Sequence, residues 1–564
     1  MTHTGAELLV RQLEQEGVRH VFGVPGVQLD HVLDALARAR AAGGPIEYVS
    51  ARHEQGAAHM AEAYARTTDR PGVCLVVPGP GVLNALPALA TGYACSSPLL
   101  CLAADIPSAL SGRGLGMLHE LPDQEGMLAS VTTWSARARG PDAIPRLLRE
   151  AVRRSRTGRP RPVAVTLPAD VLAASAAPGT DGQLDGAAPE TDVQLDGLAP
   201  EPAVPEPDAG TVADIASALR DARRPLLYVG GGVLAARAGD ALTALAEELD
   251  APVVTSRNAG GAIPAHHRLA LPALAGPSVL PTADVVLVVG SRFVSPRGTA
   301  LPTAPGATVI LVNADPADLG PPRRAGLTLC ADAGTALEAV RAALPPRARR
   351  GEWSAEELSE VRAGCARRVA AVEPQWSYVR ALREAIPDDG FLVNELTQVG
   401  YLAAVGYPVH HPGTFLTPGY QGTLGYGYPS ALGVKTAHPD RAVVSVNGDG
   451  GFCFNLQELA TARRYGIGVV AVVFNDNAYG NVRRIQSDEF AGRFIGSDLT
   501  SPDFVRLAES FGVPGVRADS PGALAGALKE ALGEPGPSVI EVPVGEMPSV
   551  WPLLLGGAPG SVRD

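Results

Sequence analysis

Several apolar runs in this chain stop abruptly at turns rich in glycine or proline, and stretches with helical spacing separate them. The run at residues 73–77 ends at Pro78-Gly79, and another run follows at residues 99–103. Earlier in the chain, residues 7–16 have the apolar spacing of an amphipathic helix. Strands that alternate with helices assemble into parallel sheets that are covered on both faces. The pattern predicts an α/β fold built from doubly wound parallel sheets.

The chain is too long for one hydrophobic core, because single domains rarely exceed roughly 250–300 residues and this chain has 564. Residues 175–208 repeat the strings QLDGAAPE and QLDGLAPE, and their proline, alanine and acid content predicts a linker. Residues 347–374 are interpreted as a second, charged and helical linker, and residues 546–564 as a C-terminal tail. The three predicted domains are residues 1–174, 209–346 and 375–545.

Composition excludes several classes of protein. The net charge of −12 argues against a nucleic-acid partner, because phosphate backbones attract basic surfaces. No stretch reaches the roughly 18 uninterrupted apolar residues that a membrane-spanning helix needs, so no membrane association is expected. The first six residues lack the basic and apolar regions of a signal peptide, which favours a cytoplasmic location. The six cysteines form no CxxC pair, which indicates reduced thiols rather than a zinc site or a disulfide framework.

Two acidic turns follow neighbouring strands in the last third of the chain. Gly448-Asp449-Gly450 ends one apolar run, and Asn475-Asp476-Asn477 ends the next. In an open parallel sheet both turns lie at the carboxyl edge, where ligands bind. Carboxylate oxygens suit Mg²⁺, and the flanking glycines allow the backbone to approach a diphosphate. The spacing therefore predicts a magnesium site that also holds a diphosphate.

These two turns resemble the signature of thiamine-diphosphate enzymes of the acetolactate synthase, benzoylformate decarboxylase and pyruvate decarboxylase group. The resemblance implies that Mg²⁺ is bound by Asp449, by Asp476 and by the backbone carbonyl of Ala478. The family usually has asparagine where this chain has Asp476, so the cluster here carries an additional negative charge. It also implies that the first domain binds the aminopyrimidine ring and the third domain binds the diphosphate.

Residues 52–58 (RHEQGAA) resemble the family segment whose glutamate hydrogen-bonds N1′ of the aminopyrimidine. The resemblance makes Glu54 the catalytic carboxylate, because a carboxyl at N1′ promotes the imino tautomer that takes the C2 proton of the thiazolium ring. Without the metal motif, Glu54 would be read as an ordinary glutamate at a helix start.

Three further loops resemble cofactor-binding segments of the family. They are residues 78–84 (PGPGVLN), residues 395–398 (ELTQ) and residues 422–427 (GTLGYG), in which Leu424 would be the apolar wedge beneath the cofactor. A wedge of this kind brings reacting groups together, which is a proximity effect. With the metal turns, the implied cofactor-binding residues are Gly79, Asn84, Thr397, Gln398, Gly422, Leu424, Gly448, Gly450, Gly451, Tyr479, Gly480 and Asn481, besides Glu54, Asp449 and Asp476.

The substrate side departs from acetolactate synthase. Carboligases of the family have Phe-Gln-Glu and pyruvate decarboxylases have Leu-His-His where this chain has Leu118-His119-Glu120. We assign catalysis to His119 first and Glu120 second, because a histidine can move a proton near neutral pH; a packing role for the histidine is the alternative. Residues 114–124 (GLGMLHELPDQ) resemble a branch of acetolactate-synthase-like proteins that includes decarboxylases of guanidino 2-oxo acids.

The resemblance also bears on FAD and on assembly. Acetolactate synthase binds FAD on its central domain through a G-M-H-G segment, whereas residues 274–279 here are LAGPSV, so FAD is possible but not expected. In the family the two cofactor-binding domains come from different subunits. We therefore expect a homodimer or a homotetramer with its active sites at the subunit interface.

The resemblance predicts a decarboxylase or carboligase for a 2-oxo acid, which would act through ylide addition, loss of CO₂ and an enamine. One alternative is a carbon–carbon lyase for a 2-hydroxy ketone or a hydroxyacyl thioester, and another is a non-catalytic cofactor-binding homologue. A nucleotide-dependent oxidoreductase built on residues 230–232 is disfavoured, because that turn lacks the G-x-G-x-x-G fingerprint. The identity of the donor and of any acceptor stays open.

Overall fold

The computed structural model of the chain describes residues 2–176, 206–295, 297–345 and 351–555. Within these ranges it contains three six-stranded sheets in which every pair of neighbouring strands is parallel. Helices cover the sheets, and the predicted α/β architecture is confirmed. Nearly all of the predicted 175–208 linker and the last nine residues of the predicted tail lie outside the described residues.

The first sheet has the strand order β2-β1-β3-β4-β6-β5. Its central strands are buried along their whole length, which explains their uninterrupted apolar runs. The strands are β1 His20–Gly23, β2 Glu47–Ser50, β3 Gly72–Val76, β4 Leu99–Asp105, β5 Trp134–Arg137 and β6 Val163–Pro168. The helices are α1 Gly5–Gln15, α2 Asp30–Ala41, α3 Glu54–Thr67, α4 Pro80–Cys95, α5 Gln124–Ala129, α6 Ile144–Arg156 and α7 Ala169–Ala173.

The second sheet has the order β12-β11-β10-β7-β8-β9, the arrangement of a dinucleotide-binding fold. Its strands are β7 Pro225–Val229, β8 Val253–Thr255, β9 Ala270–Leu271, β10 Val285–Val289, β11 Thr308–Asn313 and β12 Leu327–Cys330. Its helices are α8 Ala209–Asp221, α9 Gly231–Ala235, α10 Gly239–Leu249, α11 Gly276–Val279, α12 Ala333–Ala343 and α13 Ala355–Ala370. The helix α13 falls in the segment predicted as a second linker, and its Leu358 and Cys365 are buried in the core.

The third sheet, ordered β14-β13-β15-β16-β18-β17, repeats the connectivity of the first. Its strands are β13 Phe391–Asn394, β14 Phe415–Leu416, β15 Val443–Gly448, β16 Val470–Asn475, β17 Gly515–Arg517 and β18 Ser538–Pro543. Its helices are α14 Gln375–Ala385, α15 Gln398–Gly406, α16 Gly427–Ala437, α17 Asp449–Phe452, α18 Leu459–Tyr465, α19 Gly480–Glu489, α20 Phe504–Ser510, α21 Pro521–Gly533 and α22 Trp551–Leu555.

The strand order reverses between β1 and β3 in the first sheet and between β13 and β15 in the third. A crevice opens at such a switch point, and ligands bind there. The loops after these four strands contain the 78–84, 395–398 and 448–451 segments, which the sequence singled out. The topology thus places the predicted cofactor motifs where an open α/β sheet binds ligands.

Helices α3 and α16 join the first and third domains. Met60 and Tyr64 of α3 and Leu432 of α16 lie in one continuous buried core. Gly433 lets the two helices approach closely, because a Cβ at that position would collide with the backbone of Met60. The helix that begins at Glu54 is therefore packed directly on the third domain of its own chain. In the described part of the chain, no helix is long and apolar enough to cross a membrane.

Candidate active site at the two switch points

Asp449 and Asp476 face one another at the carboxyl edge of the third sheet. Asp449 directly follows β15 and Asp476 directly follows β16, and these strands are paired in register. The side chain of Asp449 is 2% exposed, and Ser501 Oγ donates a hydrogen bond of 2.6 Å to its Oδ2. Asp476 Oδ1 accepts from Ala478 N at 3.1 Å. The prediction that both carboxylates meet at one sheet edge is confirmed.

The electrostatics of this pair suit a cation. Burial raises the pKa of Asp449, and burial together with the charge of Asp449 raises the pKa of Asp476 to about 6. Among the described residues no cluster of three or more histidine, cysteine or acidic side chains could hold a metal. Two carboxylates match Mg²⁺, which is usually held by one or two of them and completes its octahedron with phosphate oxygens and water. The donor set fits a magnesium ion that is shared with a diphosphate.

Glycines give this edge its shape. A side chain at Gly451 would collide with Glu395, and a Cβ at Gly480 would lie 2.5 Å from Asp476 Oδ2. A Cβ at Gly450 would lie 2.6 Å from the ring of Tyr479. A Cβ at Gly448, in contrast, would make only ordinary contacts, at 3.4 Å from Cγ2 of Thr397 and 3.9 Å from the carbonyl oxygen of Leu396. Bare backbone beside the two carboxylates is what a bound diphosphate needs, because its oxygens must reach peptide N–H groups.

The 395–398 loop contributes its side chains to the same edge. Thr397 caps α15 by accepting the N–H of Gly400 at 2.7 Å, so its hydroxyl is already engaged. The Oε1 of Gln398 is buried and has no protein partner in the described structure, and its Nε2 lies 4.0 Å from the Cβ position of Gly480. An orphaned buried amide beside the carboxylate pair points to a missing polar ligand.

Asn481, which the family resemblance assigned to the cofactor, also makes contacts within the chain. Its Oδ1 accepts a hydrogen bond of 2.5 Å from Nε1 of Trp551, and Arg484 donates to it at 3.3 Å. The ring of Trp551 also packs against that of Tyr401. Asn481 thus anchors the C-terminal helix α22 over the third domain, within the segment that was predicted as a tail.

Two glycines and two side-chain hydrogen bonds fix the turn that carries Leu424. Gly422 and Gly425 have the positive φ angles of 61° and 78° that glycine accepts without strain. The carbonyl of Leu424 accepts from Gln55 Nε2 at 3.2 Å, and the carbonyl of Gly425 accepts from Asn455 Nδ2 at 2.7 Å. The two peptide groups that follow the predicted wedge residue are therefore both held.

A buried carboxylate completes this turn. Glu395 accepts the N–H of Gly425 at 2.7 Å and that of Gly427 at 2.8 Å, one on each oxygen. Burial raises the pKa of Glu395 to about 7, and these two hydrogen bonds oppose the rise. The sequence motif contained Glu395 but gave no sign of this role, because its partners are 30 and 32 residues away in the chain.

Glu54 is the first residue of α3, and its side chain is 9% exposed. His53 caps the helix, with its Nδ1 accepting from Gln55 N at 3.1 Å. Asn84 Nδ2 donates a hydrogen bond of 2.9 Å to Oε2 of Glu54. Asn84 was predicted to touch the cofactor, and its observed contact orients the carboxylate that would do so. The structure thus brings Glu54 and the 78–84 loop together.

His119 lies beside the same loop in an unusual backbone conformation. Its φ angle is 70°, which is rare for a residue other than glycine. Gly79 permits this, because a Cβ there would lie 2.6 Å from the carbonyl oxygen of His119. The ring Nδ1 is 3.2 Å from Gln28 Oε1, and Gln28 Nε2 donates to the carbonyl of Leu118 at 3.2 Å. Gln28, which the sequence did not indicate, thus orients the histidine.

Glu120 does not point away from its own loop. Its Oε1 accepts the N–H of Gly114 and its Oε2 accepts that of Met117, both at 3.0 Å. These two bonds close residues 114–120 into a compact turn. Glu120 therefore holds together the loop that carries His119, and each of its carboxylate oxygens accepts a hydrogen bond.

The chain was compared with known proteins. Residues 3–127 match the N-terminal TPP binding domain of thiamine pyrophosphate enzymes, residues 212–340 match their central domain, and residues 396–542 match their C-terminal TPP binding domain. A probable 2-ketoarginine decarboxylase of Pseudomonas aeruginosa is 35% identical over 96% of this chain and 94% of its own length.

Two acetolactate synthases are similarly close. The large subunit of isozyme 3 of Escherichia coli is 33% identical over 94% of this chain and 92% of its own length. A probable large subunit of Methanocaldococcus jannaschii is 34% identical over 97% of this chain and 93% of its own length. The resemblance inferred from the motifs is confirmed: the chain belongs to the thiamine pyrophosphate enzymes, as a thiamine-diphosphate-dependent enzyme of their acetolactate-synthase-like branch.

Proposed function

We propose that this chain uses thiamine diphosphate, held through Mg²⁺, to decarboxylate a 2-oxo acid and to protonate the product. The observation that carries the proposal is the placement of acidic groups at both switch points. Asp449 and Asp476 lie at the switch point of the third sheet. Glu54, which accepts a hydrogen bond from Asn84, lies beside the loop at the switch point of the first sheet. Between them, Gln55 binds the carbonyl of Leu424 and links the two domains.

Each of these residues has a distinct task in the proposal. When bound, the cofactor would supply a nucleophilic carbon for attack on a ketone and a positively charged thiazolium ring that can accept the electron pair left by CO₂. Asp449, Asp476 and the carbonyl of Ala478 would hold Mg²⁺. Glu54 would hold a proton at the pyrimidine N1′ atom, and Leu424 would support the ring system from below.

Gln28 fixes the proton positions on His119. Because the amide nitrogen of Gln28 donates to Leu118, its Oε1 faces the imidazole and must accept a hydrogen bond. Nδ1 of His119 therefore bears a hydrogen, and Nε2, which has no partner in the described structure, is the atom that accepts or delivers a proton. This arrangement supplies a general acid for the protonation that ends a simple decarboxylation.

The residues beside the cofactor favour decarboxylation over carboligation. Carboligation requires a second carbonyl compound to meet the nucleophilic carbon, whereas a histidine that has first taken up a proton on Nε2 would deliver that proton to the carbon instead. Carboligation is the second candidate, because the similar Escherichia coli protein is named for the synthesis of acetolactate. A lyase that releases no CO₂ and a non-catalytic homologue are the remaining alternatives.

The first substrate to test is 2-ketoarginine, because the similar Pseudomonas protein is named for its decarboxylation. Purified protein with thiamine diphosphate and Mg²⁺ would be given 2-ketoarginine, pyruvate and other 2-oxo acids, and CO₂ release would be measured with and without an aldehyde. We expect CO₂ and an aldehyde product from one of these acids without an acceptor. CO₂ release that requires the aldehyde, or that yields a ligated hydroxy keto acid in place of an aldehyde, would support carboligation, and no release from any acid would contradict the proposal.

We also propose that two copies of the chain share each active site. Large apolar side chains are exposed around both halves of the site, and exposed apolar patches of this kind mark interaction surfaces. They are Val27, Leu83, Leu115 and Leu118 on the first domain and Phe454, Val482 and Phe490 on the third. Light scattering should give the mass of a dimer or a tetramer, and a fully active monomer would contradict the arrangement.

The central domain is proposed to carry no FAD. The stretch that replaces the family segment G-M-H-G begins in a short 3₁₀ helix, Ala273–Ala275, and continues as α11. Protein purified without added flavin should therefore show no visible flavin absorbance. A flavin spectrum that survives gel filtration would contradict this part of the proposal.

A further inference from the structure

A second buried carboxylate lies between the first and third domains. Glu458 belongs to the 3₁₀ helix Leu456–Glu458, seven residues beyond the Gly448–Gly451 turn, and its side chain is fully buried. Its Oε1 accepts the backbone N–H groups of Arg52 and His53, each at 3.0 Å. Its Oε2 accepts from Thr461 Oγ1 at 2.6 Å. The carboxylate thus spans from the third domain to the peptide groups that precede Glu54.

The contact fixes the start of helix α3 from outside. The first N–H groups of a helix have no partner within it, and a carboxylate there satisfies them and favours the helix dipole. The strand that leads to α3 is docked on the helix that follows Glu458, because Ser50 N donates at 2.9 Å to the hydroxyl of Tyr465, the last residue of α18. Gly56 is required as well, since a Cβ there would lie 2.6 Å from Oε1 of Glu458. These contacts need no substrate or cofactor to explain them, but the residues that they hold lie directly before Glu54.

We propose that Glu458 is a positioning residue that sets the location of the Glu54 carboxylate against the aminopyrimidine. The two backbone N–H groups that it binds belong to the residues immediately before Glu54, so a shift of this anchor moves Glu54 directly. A displacement of about 1 Å at a reacting group can cost roughly 10²-fold in rate. This inference rests on the proposed function, because it assumes that Glu54 serves a bound thiamine diphosphate.

The test begins with the protein that contains no cofactor. Glu458→Gln removes the negative charge from the group whose Oε1 accepts both backbone N–H groups, and it sets an amide N–H₂ in place of Oε2, which accepts from Thr461 Oγ1 and from Arg52 N at 3.2 Å. The amides of Arg52 and His53 should therefore lose protection in hydrogen-exchange mass spectrometry. Loaded with thiamine diphosphate and Mg²⁺, the variant should bind the cofactor with little change by calorimetry. Exchange of the C2 proton, followed by acid quench and NMR, should slow by roughly 10²-fold.

A double-mutant cycle separates positioning from general damage. In a Glu54→Gln background, Glu458→Gln should slow C2 proton exchange no further, because both changes act through the same carboxylate. Gly56→Ala, which pushes on the contact from the other side, should reproduce the loss if Glu458→Gln fails to fold. The matched control is Glu62→Gln, which removes another fully buried carboxylate two turns along α3 and should leave C2 proton exchange unchanged.

Two results would overturn the inference alone. One is normal C2 proton exchange in a folded, cofactor-loaded Glu458→Gln or Gly56→Ala variant. The other is additive slowing in the double variant with Glu54→Gln, which would show that Glu458 acts elsewhere. Wild-type protein that binds no thiamine diphosphate, or does not accelerate C2 proton exchange, would instead overturn the proposed function and this inference with it.

Discussion

Replacing Asp476 by asparagine should stabilise the metal-free protein while weakening its hold on Mg²⁺. In the metal-free state, Asp476 sits partly buried opposite Asp449, and burial and that charge raise its pKa from 3.8 to about 6. A folded-state pKa above the unfolded value means that the protonated form stabilises the fold below about pH 4. That contribution disappears as the pH rises through 6. Above about pH 6, an asparagine at position 476 avoids the repulsion between the ionised Asp476 and Asp449.

The magnitude follows from the shift. A change of one pKa unit corresponds to about 1.4 kcal/mol, so the whole shift corresponds to about 3 kcal/mol of lost stability above pH 6. Asp476 is partly exposed to solvent, and screening reduces the expected gain of the variant to about 1–2 kcal/mol. The advantage of Asp476→Asn should grow from nearly zero at about pH 4 to its full value above pH 6.

Thermal melting in EDTA, at steps of half a pH unit from about pH 4 to pH 8, measures the difference in stability between Asp476→Asn and the wild type. Asp440→Asn, at an exposed aspartate of the same domain, is the control and should show no such pH dependence. Excess Mg²⁺ and thiamine diphosphate should reduce or reverse the stability advantage of Asp476→Asn, because a ligand stabilises the form that binds it more tightly. A variant that is no more stable than wild type at pH 8, or whose advantage does not vary with pH, would refute the reasoning.

Three further predictions follow from the site. His119→Ala should lower CO₂ release by roughly 10²–10⁴-fold, the usual effect of losing a general acid, and leave C2 proton exchange unchanged; normal turnover would make the residue structural. Asp449→Ala should abolish cofactor binding in a calorimetric titration, and unchanged affinity would remove the metal assignment. Mixing Glu54→Gln with Asp449→Ala subunits should restore part of the activity, because some shared sites would carry neither change; inactive mixed dimers would contradict the shared site.

The sequence predicted the sheet centres well, because buried parallel strands are uninterrupted apolar runs. The apolar runs at residues 73–77 and 99–103 correspond to β3 and β4, and the two acidic turns follow β15 and β16. Edge strands such as β9, β14 and β17 contain only two or three residues and leave no run to detect. The crossover between β15 and β16 is not one continuous helix: it includes the 3₁₀ turn Leu456–Glu458, which carries Glu458, and continues as α18.

The site was predicted only where its chemistry is local in the chain. The switch-point turns carry their own signal, since glycine, aspartate and glutamate stand next to one another. Gln28 meets His119 across 91 residues, Ser501 meets Asp449 across 52, and Glu458 meets Arg52 across 406. A lone glutamine, serine or glutamate within an ordinary stretch has no spacing that marks such a partner, so these contacts required the fold.

Glu395 and Glu458 explain why the protein keeps two carboxylates in a dry interior beside its active site. Burial raises the pKa of each to about 7, so near and above neutral pH each ionised group opposes folding. A carboxylate only accepts hydrogen bonds, and each of these meets two backbone N–H groups of a cofactor-facing segment. At Glu395, whose two oxygens each accept one backbone N–H, a neutral glutamine could satisfy one donor and would present its own N–H₂ to the other. At Glu458, where Oε1 accepts both backbone N–H groups, the N–H₂ of a glutamine would replace Oε2, which accepts from Thr461 Oγ1 and from Arg52 N at 3.2 Å. Each of these carboxylates thus costs the fold some stability when it is ionised, while Glu395 places Leu424 and Glu458 places Glu54.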